Sequence, residues 1–180
     1  MDSSYFQIFE NQLTEKLLKL CNAQGVIGTT LLSTEDIDSM WTRYAPEYVA
    51  DAIPNIKDYP LVALAWAFYL GMGVAKGWDV DWDATKNAEY SYYYGSQKFD
   101  DMDEHILCNI LHIALESPEA KTIESVAKSC AQTVYTAIRH EQIEPSTPEA
   151  FHVYARSCKA LFRIGAAVEL SALGYKFEKI

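Results

Sequence analysis

Apolar residues recur along most of this chain at spacings of three and four, the rhythm of one face of an α-helix. Phe6, Phe9, Leu13, Leu17 and Leu20 mark a first helix to about Ala23. Ser3 or Ser4 can cap it, and Gly25 supplies a stop. Val26 to Leu32 reads as a connector, because its β-prone residues have no second run with which to form a sheet. Ser33 with Asp36 resembles a capping box for a second helix through Tyr44. Pro46 then opens a short third helix, and Pro54 breaks it. From Leu61 to Ala75 the rhythm vanishes, because fifteen consecutive residues carry no charge. A helix that is apolar all round belongs inside a bundle. This one should start at Asp58 or Pro60 and end near Gly77. Gly71, Gly73 and Gly77 would let another backbone or a ligand come close.

Beyond it, Trp78 to Asp83 reads as a loop and Ala84 to Tyr94 as a fifth helix stopped by Gly95. Asp100 or Asp101 caps a sixth helix to Glu116, which the Ser117-Pro118 step ends. A seventh runs from Lys121 or Thr122 to about Ile143. Ser146 and Glu149 form a capping box, with Pro148 in the first turn, for an eighth helix to about Leu173. Small residues on that last helix, Ala155, Gly165, Ala166 and Ala167, favour close helix approach. The expectation is an all-α protein: one domain over residues 1–180, an irregular bundle of seven or eight helices around the buried 61–77 helix.

Composition narrows the partners. At 180 residues the chain can bury a full core without disulfide or metal staples. The net charge of -10 argues against nucleic acid and against an anionic membrane surface. Eight acidic residues and two lysines fall between Asp79 and Glu104, whereas the segment from Ala150 onward carries a positive excess. Opposite ends of that kind favour head-to-tail contact between copies, although charge runs commonly just face water. Cys21, Cys108, Cys130 and Cys158 are scattered beside apolar residues, the pattern of reduced thiols in an intracellular protein. The Met-Asp-Ser-Ser-Tyr start lacks the basic and apolar regions of a secretory signal. The uncharged run is shorter than the roughly 20 residues a spanning helix needs. The expected address is cytoplasmic.

Four constellations bear on chemistry. Asp79, Asp81 and Asp83 alternate as in the start of an EF-hand, but Ala84 stands where the loop needs glycine and Tyr90 where it needs glutamate. A capping role for Asp81 or Asp83 explains them better. On an ideal sixth helix, Asp101, His105, Cys108, His112 and Glu116 would share a stripe with metal-binding side chains. Yet His105 and His112 would lie about 10 Å apart along the axis, too far to share one ion without a third element. Glu149 and His152 form a single E-x-x-H, where a di-iron bundle needs two. Finally, ten of the 23 aromatic residues fall between Trp66 and Phe99. Rings with polar tips suit a pocket or an interface.

No nucleophile elbow, phosphate loop or zinc-protease motif is present. The leading expectation is therefore a non-enzymatic binding or protein–protein interaction module, a homodimer or the partner of another protein, with no cofactor. The alternative is a small-molecule site, with an enzymatic role left open, with Trp66, Tyr69, Trp78, Asp81 and Tyr93 around it. A third is a metal site built from His105, His112 and a carboxylate such as Asp101.

Overall fold

A computed structural model describes residues 3–176. Among these, every regular element is helical, and the only β-type pairing is an isolated bridge between Gly95 and Lys98. Six α-helices are present: α1 Ser3–Ala23, α2 Glu35–Ala52, α3 Pro60–Thr85, α4 Met102–His105, α5 Pro118–His140 and α6 Pro148–Ala172. The class is as expected from the sequence, but the count of seven or eight is too high. The difference comes from three places where a local signal was overridden.

The first is Pro46, which lies inside α2 rather than opening a new helix. A mid-helix proline costs about 3 kcal/mol. It is tolerated because the buried stripe of Met40, Trp41, Tyr44, Tyr48 and Val49 runs straight through it. Fully burying each large side chain contributes about 1.5–3 kcal/mol, so the stripe outweighs the lost turn. The cap is Thr34, one residue beyond Ser33, and its hydroxyl accepts from the Ile37 N–H at 3.1 Å.

The second is α3, which runs past Gly77 to Thr85. Asp81 interrupts it in an extended conformation, with φ -163 and ψ 89. The Asp81 carboxylate accepts from the Ala84 N–H at 3.2 Å, and the Asp81 carbonyl accepts from the Thr85 hydroxyl at 2.9 Å. This capped last turn folds back on Gly77, where a Cβ would lie 3.0 Å from Thr85 Cγ2. The expected loop is thus the end of a helix. The expected fifth helix is a turn followed by a 3-10 segment, Tyr90–Tyr93.

The third is the expected sixth helix. It comprises a 3-10 turn at Phe99–Asp101, the single turn α4, and a π-helical turn at Ile106–Ile110. It stops at His112, which adopts φ 58, a left-handed conformation that histidine tolerates better than most residues. Ser117-Pro118 does not merely end a helix; it starts α5, with Ser117 Oγ accepting from the Ala120 N–H at 3.1 Å. At α6 the cap is Thr147, accepting from the Ala150 N–H at 3.2 Å, while Ser146 sits at φ 63. The Ser146–Glu149 box is therefore not the one used, though Pro148 opens the helix as expected. Gly25, at φ 77, ends α1 as expected, with the Val26 N–H donating to the Cys21 carbonyl at 3.1 Å.

At the centre, α3 packs against α2, α5, α6 and the π turn. The closest approach is to α6, which runs parallel to it. Ala63 meets Tyr154, and farther along Gly71 meets Phe162 and Ala166. A Cβ on Gly71 would fall 2.0 Å from the Phe162 carbonyl oxygen, and one on Gly165 would fall 2.0 Å from that of Phe68. Each glycine accommodates the other helix's backbone. By length and composition α3 is also long enough to cross a membrane, contrary to the reading of the shorter run. In this fold, however, 67% of its most apolar window is buried by the other helices.

Charge is used inside the bundle as well. Glu10 of α1, only 3% exposed, pairs with Arg156 at 3.1 Å and Lys159 at 3.6 Å on α6. Arg163 pairs with Asp38 of α2 at 3.5 Å. Three of the C-terminal basic residues thereby have acidic partners within the chain. Residues 177–180, which hold one glutamate and one lysine and so add nothing to that basic excess, lie outside the described residues.

Candidate functional site

The irregular stretch between α3 and α5 leaves the first half of α3 partly uncovered. Here Leu61, Val62, Ala65, Trp66 and Tyr69 face Leu107 of the π turn, Leu115 of the following loop, and Ala120 and Ala127 of α5. Asp103, Glu104, Glu124 and Lys128 stand around the edge. The groove encloses about 400 Å³, the size of a small-molecule site.

Its floor is aromatic and fixed. The Trp66 indole N–H donates to the Phe99 carbonyl at 2.8 Å, which locks the ring. Tyr69 meets Trp66 edge to face, with centroids 5.6 Å apart and planes at 89°. Tyr69 is 2% exposed, and burial, followed by the nearby Asp103 and Glu124 carboxylates, pushes its phenol above the ordinary range. It is a neutral donor at any physiological pH. Burial also lifts the Asp103 carboxyl to about 6, with the Glu104 and Asp101 charges adding to the rise. Asp103 is thus ionised but poorly solvated at neutral pH, a state that a bound cation relieves.

Of the five residues expected around a pocket, the structure brings Trp66 and Tyr69 together here and sends the others elsewhere. Tyr93 is 1% exposed and lies beneath α3, its ring within van der Waals reach of Gly73 and edge to face with Tyr44 at 5.5 Å. Trp78 donates to Asp36 at 3.1 Å and its ring packs at a tilt against Tyr175, centroids 5.4 Å apart, at the far end of α3. Asp81 is the cap described above. The tyrosine cluster divides: Tyr90 and Tyr93 enter the core, Tyr94 donates to Asp51 at 2.9 Å, and Tyr92 is exposed. The aspartate triplet also divides, because Asp79 accepts from the Tyr175 hydroxyl at 2.7 Å and Asp83 pairs with Lys86 at 3.3 Å.

The metal-type stripe does not survive the irregular backbone. His105 has one ring nitrogen 3.0 Å from the Tyr92 carbonyl and the other 3.0 Å from the Asn109 amide. His112 lies past the π turn, and Asp101 accepts from the Gln97 N–H at 3.1 Å. Among the described residues, no three His, Cys, Asp or Glu side chains come together as a metal site. The E-x-x-H pair opens α6, and His152 packs against Phe6 and Phe151.

Sequence reasoning missed Asp103, Glu124 and Lys128 as groove residues. The available signal was the i, i+4 placement of Glu124 and Lys128 on α5. Their meeting with Trp66 depends on tertiary geometry. A second depression of about 350 Å³ lies between α1 and α5, lined by Phe9 and Leu13 together with amide and hydroxyl side chains such as Gln12, Gln132 and Thr136. Phe9 is its single phenyl ring, and Lys16 and Glu141 leave it without one dominant charge. No protein-family model matches the sequence, and no curated protein or solved structure matches it either.

Proposed function

We propose that this is a non-catalytic binding protein whose α3–α5 groove takes a small organic cation with an apolar body, such as an aryl- or alkylamine. One observation carries the reading. The floor of Trp66 and Tyr69 is rimmed by three carboxylates, Asp103, Glu104 and Glu124, against a single Lys128. The apolar part of such a ligand would cover Leu61, Val62 and Leu107. The ammonium group would meet Asp103 or Glu124 at the edge, with ring faces adding roughly 0.5–2 kcal/mol. A cytoplasmic protein meeting metabolite amines suits this role.

Phenethylammonium, with phenylpropionate as its anionic counterpart, is the direct probe. Chemical-shift changes at the Trp66 indole N–H should saturate with the amine and stay absent with the acid. Trp66→Leu and Asp103→Asn should each weaken the amine at least tenfold. Equal binding of both probes, or shifts that spare Trp66, would sink the proposal. The competing occupant is a second copy of the chain, since Tyr59 and Leu115 are exposed next to the groove at 62% and 41%. That occupant predicts a dimer in a native mass spectrum and a groove blocked to the amine until dilution.

A further inference from the structure

A different part of the molecule carries an independent inference, at the seam between the N-terminal helix and α5. The two helices run antiparallel. Near one end of the seam the Tyr5 hydroxyl donates to the Glu141 carboxylate. Near the other, Cys21 and Cys130 place their sulfurs 3.5 Å apart, across 109 residues of sequence. Both cysteines are reduced and 0% exposed.

Apolar packing alone does not require two thiols to face each other. A disulfide needs sulfurs about 2.05 Å apart, so closure asks for an approach of about 1.5 Å. The neighbourhood can supply it. Cys21 lies in the last turn of α1, and Gln24, Gly25 and Gly28 to Thr30 beyond it are exposed. The closure falls on the last turn of α1, whose following chain is largely exposed apart from the buried Ile27. The other two cysteines lack this geometry. Cys158 is buried beside Tyr154, and Cys108 is half-buried on the π turn.

The geometry points to an oxidative modification site: Cys21 and Cys130 form an intramolecular disulfide when the folded protein meets a small peroxide. The chemistry balances with hydrogen peroxide as the oxidant. The Cys21 thiolate attacks one peroxide oxygen and the O–O bond breaks. This gives a sulfenic acid, and the departing hydroxide takes the thiol proton to become water. The Cys130 sulfur then attacks the sulfenic sulfur and the S–O bond breaks. The second hydroxide leaves with the Cys130 proton as another water. Two thiols lose two electrons and the peroxide gains them. The balance is the same whichever of the two sulfurs attacks first. Either thiol can donate the hydrogen bond that the two share, and that bond favours the thiolate of whichever sulfur accepts it. Because both sulfurs are enclosed, a small peroxide enters on a brief opening of the α1 end, while bulky alkylating reagents react slowly.

The test uses the full-length reduced protein, treated with hydrogen peroxide in native buffer and digested without reductant. The expected result is a peptide pair joined through Cys21 and Cys130, an intact mass lower by two hydrogens, and two of the four thiols left free. The oxidised protein should melt several degrees higher, and reductant should reverse the shift. Cys108→Ala should leave the linkage intact and Cys130→Ala should remove it. The wild-type linkage map decides the matter even if that variant folds poorly. Four persisting thiols, a linkage through Cys108, or a 21–130 linkage formed only in denaturant would each overturn the assignment. None of these outcomes depends on the amine groove.

Discussion

The crossing of α3 and α6 sets the geometry of the whole bundle, and Gly71→Ala tests it with one methyl group. The new Cβ would lie 2.0 Å from the Phe162 carbonyl oxygen and 2.9 Å from the Ala166 nitrogen. Ordinary contact begins near 3.4 Å, so the helices must part by about 1.4 Å. Both obstacles are backbone atoms, and no rotamer change relieves them. Overpacking of this kind costs about 1–3 kcal/mol, and a rigid backbone obstacle puts it at the upper end. Parting the helices also thins the contacts of Phe68 and Phe162, both 0% exposed, for about another 1 kcal/mol. Alanine returns roughly 0.5–1 kcal/mol through its better helix propensity. The net loss is about 3 kcal/mol. At this chain length that lowers Tm by about 6–12 °C.

The assay is thermal and urea unfolding of wild type, Gly71→Ala, Gly165→Ala and the double variant. The control is Gly28→Ala, where nothing lies within 4 Å of the new Cβ and φ is ordinary. It should be neutral or slightly stabilising. The double variant should lose less than the sum of the singles, because one displacement relieves both clashes. A Gly71→Ala protein melting within about 2 °C of wild type would refute the crossing, since even half that loss exceeds such a shift.

Three other predictions test separate parts of the structure. Glu169 is 7% exposed, and burial lifts its carboxyl to about 7, with Lys76 opposing the rise and Glu119 and Asp79 adding to it. Above that pH the buried charge destabilises the fold. As pH falls from about 7 toward the ordinary 4.5, the folded state gains a proton the unfolded chain lacks, and stability rises. Glu169→Gln should therefore stabilise by on the order of 2 kcal/mol at pH 8 and by nearly nothing at pH 4, read from urea midpoints. Asp103 titrates near 6, so phenethylammonium affinity should fall as pH drops from 7.5 to 5, by up to about tenfold per unit below that value, and Asp103→Asn should flatten the profile. Gly73→Leu drives a larger side chain into Tyr93 and Ile106, which a Cβ alone would meet at 3.2 and 3.4 Å. It should lower Tm by more than Gly73→Ala; an equal effect would mean that the Tyr93 ring swings aside.

The buried α3, the stripes of α1, α5 and α6, and the small residues of α6 were legible because each depends on local periodicity. Gly165 is the clearest case: a small residue in an apolar helix pointed to close approach, and the structure places the Phe68 backbone there. Boundaries were less legible where one residue type signals two things. Proline opens helices and also breaks them, and at Pro46 the buried residues on either side decide between the two. Ser117-Pro118 can stop the preceding segment or start a new helix, and here it starts α5. The metal-type stripe failed for a sharper reason. Its side chains share a face only on a continuous α-helix. The change to π spacing at Ile106, and then the left-handed His112, removes the common face.

That same irregularity accounts for the groove. A straight helix from Asp101 to Glu116 could lie along α3 and cover Trp66. Instead the chain makes one α turn and one π turn. These bury Met102, Ile106, Leu107, Ile110 and Leu111 within a short span, and the chain then leaves toward Ser117. Leu115 is 41% exposed as a result, and the first half of α3 keeps an open aromatic edge. If Leu115 belonged to a continuous helix it would seal that edge. The aromatic floor is thus encoded by the apolar run, but its opening is encoded about forty residues later, by the π turn and His112. Replacing His112 with glycine should ease the left-handed residue and preserve the groove, whereas alanine should strain that position by about 1 kcal/mol. Urea unfolding would read the difference, with His112→Gly at least as stable as His112→Ala. The reverse order would mean that the helix continues through this point and that the groove is closed.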